Sequence, residues 1–380
     1  MGLELGVKMY DLDSDYSISI NGIDEDTWYR NLGEFADANI YQTWAYGLTK
    51  SNAKNLHHII LRYKGVIVSM AQIRVTPIPG LPIGIAYVHW GPLWIKNTAP
   101  PDITHLKNML RALHGEYAVR KKYLLKVLPK IVNPQIKNDV IEAFAQENYK
   151  WNEDADETIF IEVSRPPAEL RNNLHKDWRR TLRHAEEQDI KITEGTSDDL
   201  LQSGLKLVKE MKERKKYFGA THHEWSNIQK QLPVESKAWI ALAEFENEPV
   251  AVLAWQTLGK VGFPIIAATG DKGLKIGASN LLWWKMINYY HERGFWCLDV
   301  AGVSAERNPG GYRFKTRVAG KMFKEPNRYI GQFDACNAPV TISLFKLAHF
   351  LRTQYKNIRV KLANMKAKIS TNNESAKNDT

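Results

Sequence analysis

One ordering of elements occurs twice along this chain, and the repetition constrains the fold more than any single segment does. In the first copy, 56–63 reads as a strand, Lys64-Gly65 as a tight turn and 66–75 as a second strand. An apolar run at 83–88 lies between Pro-rich loops, a helix is expected over 103–119, and a strand follows at 123–127. In the second copy, 238–245 is a strand, Glu246-Asn247-Glu248-Pro249 a turn, and 250–258 and 261–268 are strands divided by Gly259-Lys260. A helix over 278–291 and a closing strand at 295–300 complete it. Alternation of apolar residues and the turn residues between them carry these assignments. An antiparallel meander, a helix and a further strand, met twice, predict a duplicated α+β unit rather than two unrelated domains. Helical sequence precedes each copy, at 42–51 in the first and at 174–187 and 200–217 in the second.

The length of 380 residues agrees with two units, because one core rarely serves so long a chain. The acid-rich stretch 151–158 is the expected join. The expected division is therefore 1–154, 155–340, and a basic C-terminal helix with a disordered end over 341–380. That last segment has eight Lys and Arg against two acids, so it supplies more than half of the formal charge of +10. Leu344, Leu347, Leu351, Tyr355 and Ile358 form one apolar side of its helix, which is expected to pack on the body. Peripheral contact with an anionic membrane surface is the alternative. A basic balance favours nucleic acid, anionic lipid or phosphorylated substrates without choosing among them.

Only Cys297 and Cys336 occur, which excludes a disulfide framework and any paired-cysteine zinc site. The first residues have neither a basic n-region nor an apolar h-region, and no apolar run is long enough to span a bilayer. A cytoplasmic location is expected.

The stretch 295–320 holds the main chemical signal. An apolar strand ends in Asp299; Asn308-Pro309-Gly310-Gly311 is expected to turn sharply; Tyr312, Arg313 and Lys315 then arrive together. An ammonium held near a strand end can stabilise charge developing on a carbonyl oxygen. The plain alternative is a hairpin whose charges face water. Upstream, Lys176, Arg179, Arg180 and Arg183 recur at helical spacing and form a basic face. A second cluster, Lys212, Arg214, Lys215 and Lys216, precedes Tyr217-Phe218. Cations beside aromatics suit phosphate contact and base stacking, although a helix C-terminus also favours cations.

Glycine-rich phosphate loops, zinc-protease spacing and serine-hydrolase elbows are absent. Neighbouring histidines, His57-His58 and His222-His223, diverge in any regular element, so no metal is expected. The run Gly273-Leu-Lys-Ile-Gly-Ala-Ser-Asn280 leads into a helix and offers N–H groups to a phosphate, with Asn280 as a candidate contact. It lacks the leading Arg or Gln of an acetyl-CoA pyrophosphate loop.

Taken with Gly91-Pro92-Leu93-Trp94, the helix 175–185 and Asp299–Gly302, the run Gly311-Tyr-Arg-Phe-Lys315 resembles the signature of the Fem-type (FemABX) aminoacyltransferases over 41–355. The resemblance implies an α+β fold of two tandem GNAT-like domains with mostly antiparallel mixed sheets. It also implies a cytoplasmic transferase that moves an amino acid from aminoacyl-tRNA to an amine of a nucleotide- or lipid-linked peptidoglycan precursor, with no cofactor. Lys315, Tyr312 and Arg313 would be catalytic. Arg214, Lys176, Arg179, Arg180, Asp299, Asn280 and Trp94 would bind substrate, Arg214 through the acceptor's phosphates. Two departures stand out. Arg317 replaces a glycine of the usual "F-K-x-G-F-G-G", and Trp94-Ile95 stand where relatives place an acid after Gly-Pro. Such changes suit another acceptor, such as a sugar amine. The rival readings are an acyl-CoA-dependent N-acyltransferase acting on a nucleotide sugar or surface polysaccharide, and a noncatalytic RNA- or membrane-binding protein.

Overall fold

The computed structural model describes residues 4–5, 10, 12–215 and 222–344, without side chains at 4–5, 212–215 and 222–223. The expected basic helix beyond Leu344, the polar end after it, and the side chain of Arg214 lie outside the described residues.

The first unit is built on a hairpin. Leu56–Tyr63 pairs antiparallel with Val66–Pro77, Tyr63 facing Val66 across Lys64 and Gly65. Both turn residues have positive φ, 49° and 83°, which matches the right-handed twist of the flanking strands. Gly84–His89 continues the meander, and Leu124–Leu128 pairs parallel with it after a helical crossover. That crossover starts at Asp102, whose carboxylate caps the helix Ile103–Leu113 by accepting the Thr104 N–H. It buries Leu106, Met109, Leu110 and Leu113 on one stripe and ends in a wider π-helical turn, His114–Arg120. The expected helix thus has the right extent but not one geometry.

Among the described residues this sheet has eight strands, in the order Glu4–Leu5, Tyr16–Ile20, Leu56–Tyr63, Val66–Pro77, Gly84–His89, Leu124–Leu128, Gln332–Ala335, Lys150–Asn152. The seventh comes from the far end of the chain. Phe333 stacks on Phe144 at 3.9 Å and joins the first core, so the segment 155–340 sends its last strand back into the first sheet.

The second unit repeats the scheme. Lys191–Gly195, Trp239–Phe245, Glu248–Trp255 and Pro264–Thr269 form an antiparallel sheet. Its central hairpin turns through Glu246 and Asn247, again both at positive φ. The helix Ala278–Glu292 leads to Cys297–Asp299, which runs parallel to Val261–Gly262. Both copies therefore place a parallel strand after the helix, and the fold is α+β with the unit repeated. The expected strand 261–268 is cut in two, because Phe263 N–H bonds to the Tyr290 hydroxyl at 3.0 Å and Pro264 has no N–H for a ladder.

Two expected loops are helices. Asn308 accepts the Gly311 N–H at 3.0 Å and Pro309 occupies the first turn, so 309–319 forms the helix Pro309–Ala319 instead of a hairpin. Asp271–Ile276 is a short helix within the run that was a candidate for receiving a phosphate, followed by Gly277 at φ 74°. A Cβ on Gly273 would lie 2.3 Å from the Val250 carbonyl oxygen, and one on Gly277 would lie 2.7 Å from Thr181 Cγ2. These glycines permit close packing. Among the described residues, no helix is long and apolar enough to cross a membrane.

The seam between the units is apolar and hydrogen-bonded. Ile40, Ala45 and Tyr46 pack with Ile228 and Leu232, while Leu258 enters the cluster of Trp28, Leu32 and Phe35. Lys260 N–H donates to Ala36 O at 2.8 Å, and Lys50 meets Glu224 at 2.6 Å.

Candidate functional site

Asp299 ends the strand Cys297–Asp299 at the seam, fully buried. A carboxylate there needs donors, which it finds on the second unit, and a counter-charge, which comes from the first. Thr158 Oγ1 donates to Oδ1 at 2.5 Å, Ala301 N–H to Oδ1 at 2.9 Å, and the Tyr329 hydroxyl reaches both oxygens at 2.9 and 2.8 Å. Lys130, in the loop after Leu124–Leu128, brings Nζ within 2.9 Å of Oδ2, although that approach falls outside hydrogen-bond alignment. The same ammonium lies 3.8 Å from the Trp90 ring centroid and 4.5 Å from that of Phe263. Burial pulls the Lys130 ammonium down from its ordinary value while Asp299 opposes the shift. Asp299 was expected to bind substrate; its oxygens instead serve the chain's own side chains.

Lys315 is held just beyond this hub. The Asp299 contact helps bend the chain at Ala301, where φ is 64°, and Lys315 Nζ donates to Gly302 O at 3.0 Å and Ala301 O at 3.4 Å. Two carbonyls thus take two of three ammonium hydrogens. Burial lowers Lys315 to about 8, with the Asp299 charge working against the shift. The sequence argument assumed an ordinary lysine; burial holds this one well below the ordinary value.

The other expected residues are scattered. Arg313 is exposed, and Tyr312 packs on the core of the second unit, so neither joins Lys315. Trp94 is 3 % exposed within the first core, and Asn280 is buried on its helix. Neither is open to a substrate. Lys176 and Arg180 are exposed, as the basic face requires, while Arg179 donates to Asn172 O at 3.1 Å. Arg317, the residue in place of a glycine, pairs with Asp177 at 3.0 Å and fastens its helix to the basic one. Arg214 falls on the helix Asp198–Lys215.

Sequence reasoning missed Lys130, Thr158, Tyr329 and Asp37. Asp37 is half-buried and accepts the N–H groups of Trp94 at 3.0 Å and Ile95 at 3.3 Å. The loop after Gly91-Pro92 therefore receives a carboxylate from a distant segment. Burial raises Asp37 to about 7 against those hydrogen bonds and Lys96. It lines a cavity of about 130 Å³ at the seam with Asn39, Lys130, Asn133, Gln256 and Trp296. A larger groove of about 620 Å³ on the second unit is lined by Arg165, Asn173, Lys321, Phe323 and Lys324. The histidines have structural partners: His57 meets the Tyr117 hydroxyl, and His58 bonds Gln72 and stacks on Trp44. Among the described residues, no three His, Cys, Asp or Glu side chains gather as a metal would require.

The overall architecture has solved counterparts. The fold is that of FemX. Its crystal structure superposes with a TM-score of 0.72 at 14% identity, covering 86% of this chain and 99% of FemX. A conserved protein of unknown function from Bacteroides thetaiotaomicron gives a TM-score of 0.54 at 12% identity over 83% of this chain and 98% of its own. The C-terminal domain of a protein assigned as lysylphosphatidylglycerol synthetase from Agrobacterium fabrum gives 0.52 at 11% identity over 85% and 95%. No protein-family model matches the chain, and no curated protein does.

Proposed function

We propose that this protein is an aminoacyltransferase that forms an amide bond on an amine of a cell-wall precursor, with aminoacyl-tRNA as donor. The single observation behind this reading is the Lys315 ammonium, half-buried beside the Asp299 hub of a FemX-like fold with one hydrogen left to donate. An aminoacyl ester is already activated, so the protein's task is to align the amine with the ester and stabilise the tetrahedral oxyanion. Lys315, lowered to about 8, stays mainly protonated at neutral pH and faces that oxyanion as a cation. As the intermediate collapses, the ester C–O bond breaks, the same ammonium can hand its proton to the leaving ribose oxygen, and the neutral amine left behind takes up the proton that the attacking nitrogen loses as it becomes the amide. The exposed basic face with Lys176, Arg180 and Arg183 suits the phosphates of tRNA. Arg214 is the proposed contact for the acceptor's phosphates. A nucleotide- or lipid-linked peptidoglycan precursor is the proposed acceptor class, and the reaction is placed in the cytoplasm.

The test is direct. Purified protein, charged tRNA and a nucleotide-linked peptidoglycan precursor should yield uncharged tRNA and an extended peptide. Lys315→Ala should slow turnover by roughly 100-fold. A variant that works at the normal rate removes the mechanism. Transfer from acetyl-CoA with no response to charged tRNA replaces the donor assignment.

A further inference from the structure

We propose that Lys130 is a positioning residue: from the first unit its ammonium neutralises Asp299 and, through the Asp299-bound backbone of Ala301, fixes where Lys315 holds its charge. The inference rests on the reading that Lys315 is the working cation. Its physical basis is a continuous chain of contacts. Lys130 Nζ meets Asp299 Oδ2 at 2.9 Å; Asp299 Oδ1 takes the Ala301 N–H at 2.9 Å; the Ala301 and Gly302 carbonyls take Lys315. A buried ammonium over two aromatic rings is costly to place, and a methionine would fill that space without the cost. What a methionine lacks is the charge. Among the described residues Asp299 is the one acid that Lys130 pairs with, and the Lys130 side chain is only 6% exposed. The pair crosses the seam, so the catalytic lysine of the second unit is set by a residue of the first.

The charges that reach Lys315 are few. Asp299 is the charge that acts on Lys315 directly, and Asp299 is faced in turn by Cys297 on its own strand, Tyr329 from the segment behind, and Lys130 and Tyr41 from the first unit. On its own helix Arg313 faces solvent and Arg317 is paired with Asp177. Burial pushes the Cys297, Tyr329 and Tyr41 hydrogens to hold at higher pH, which leaves Asp299 and Lys130 as the charges that count. Removing Lys130 exposes Lys315 to an uncompensated carboxylate, so its proton is held more tightly. Removing the Asp299 charge leaves Lys130 alone, so the proton is held less tightly.

The titration of Lys315 in the full chain tests this. Trace acetic anhydride applied from about pH 6 to pH 11, followed by peptide mass spectrometry, reads the midpoint for that lysine. Lys130→Met should raise it by roughly half a unit to one unit, Asp299→Asn should lower it, and Lys130→Arg should leave it in place. An unchanged midpoint in Lys130→Met, or a rise in both Lys130→Met and Asp299→Asn as mere loosening would give, overturns the proposal. Should Asp299→Asn fail to fold, the arginine and methionine variants decide: a shift confined to methionine supports it, and a shared or absent shift refutes it. Failure of the aminoacyl-transfer reading shows separately, as wild-type protein that releases no tRNA.

Discussion

Tyr329 grips both oxygens of Asp299, at 2.8 and 2.9 Å, from the segment that carries the chain out of the second unit and back into the first sheet. One phenol thus ties the returning strand to the end of the strand that precedes Lys315. Tyr329→Phe leaves a buried carboxylate short of a donor. It should lower stability by about 1–3 kcal/mol, read as a lower denaturant midpoint at unchanged slope. An unchanged midpoint would mean that Thr158 and Ala301 satisfy Asp299 unaided.

Lys315 also sets a pH limit on activity. Its value of about 8 means that the stabilising cation disappears as pH rises through that point, while an acceptor amine is most reactive when unprotonated. Turnover should pass through a maximum and then fall on the alkaline side near pH 8. A rate that climbs steadily to about pH 10 would remove Lys315 from the transition state.

The same lysine weighs on stability in the opposite sense. Its folded value lies below the ordinary 10.5, so the cost of burying its charge is fully present below about pH 8 and vanishes once the unfolded chain also loses the proton. Lys315→Met should therefore stabilise the fold at pH 7 by about 1–3 kcal/mol, with the gain shrinking above pH 8. Thermal melts at pH 7 and pH 10 check this; an equal gain at both would point to packing alone.

Asp37 gives a further pH signature. With its folded value raised to about 7 from 3.8, the folded chain binds the proton more tightly than the unfolded one, so this group favours folding as pH falls from 7 towards 4. Asp37→Asn keeps an oxygen for the Trp94 and Ile95 N–H groups and removes the buried charge. It should stabilise the protein at pH 8 by on the order of 1–4 kcal/mol and have little effect near pH 4. Loss of stability at pH 8 would show that the charge is compensated.

Gly277 tests the packing account of the 273–280 run. Gly277→Ala puts a methyl 2.7 Å from Thr181 at a φ of 74°, and roughly 1–3 kcal/mol of stability should be lost. A neutral substitution would reopen that turn as a ligand loop.

The repeated order of elements, the turn at Lys64-Gly65 and a helix from 103 were legible in the sequence, because each is set by residues within a few positions of one another; the turn read over Glu246–Pro249 narrows to Glu246 and Asn247, with Glu248 and Pro249 in the strand. The same local logic failed at 308–311. A Pro and two glycines read as a turn, yet Asn308 caps Gly311 N–H and starts a helix, a choice that rests on φ/ψ at one residue. Arg313 and Lys315 were read as a pair, but on that helix one faces water and the other the Asp299 hub.

What the sequence determined alone was the twofold α+β plan and Lys315 as the residue of interest, since periodicity, turn chemistry and a short signature are local properties. Only tertiary structure decided that Asp299 would be shared by Thr158, Tyr329 and Lys130, and that Gln332–Ala335 would return to the first sheet. Thr158 and Asp299 are 141 positions apart, and nothing near either marks the other. A buried carboxylate takes whichever donors the packed seam brings within reach, and that choice exists only once both units have folded together.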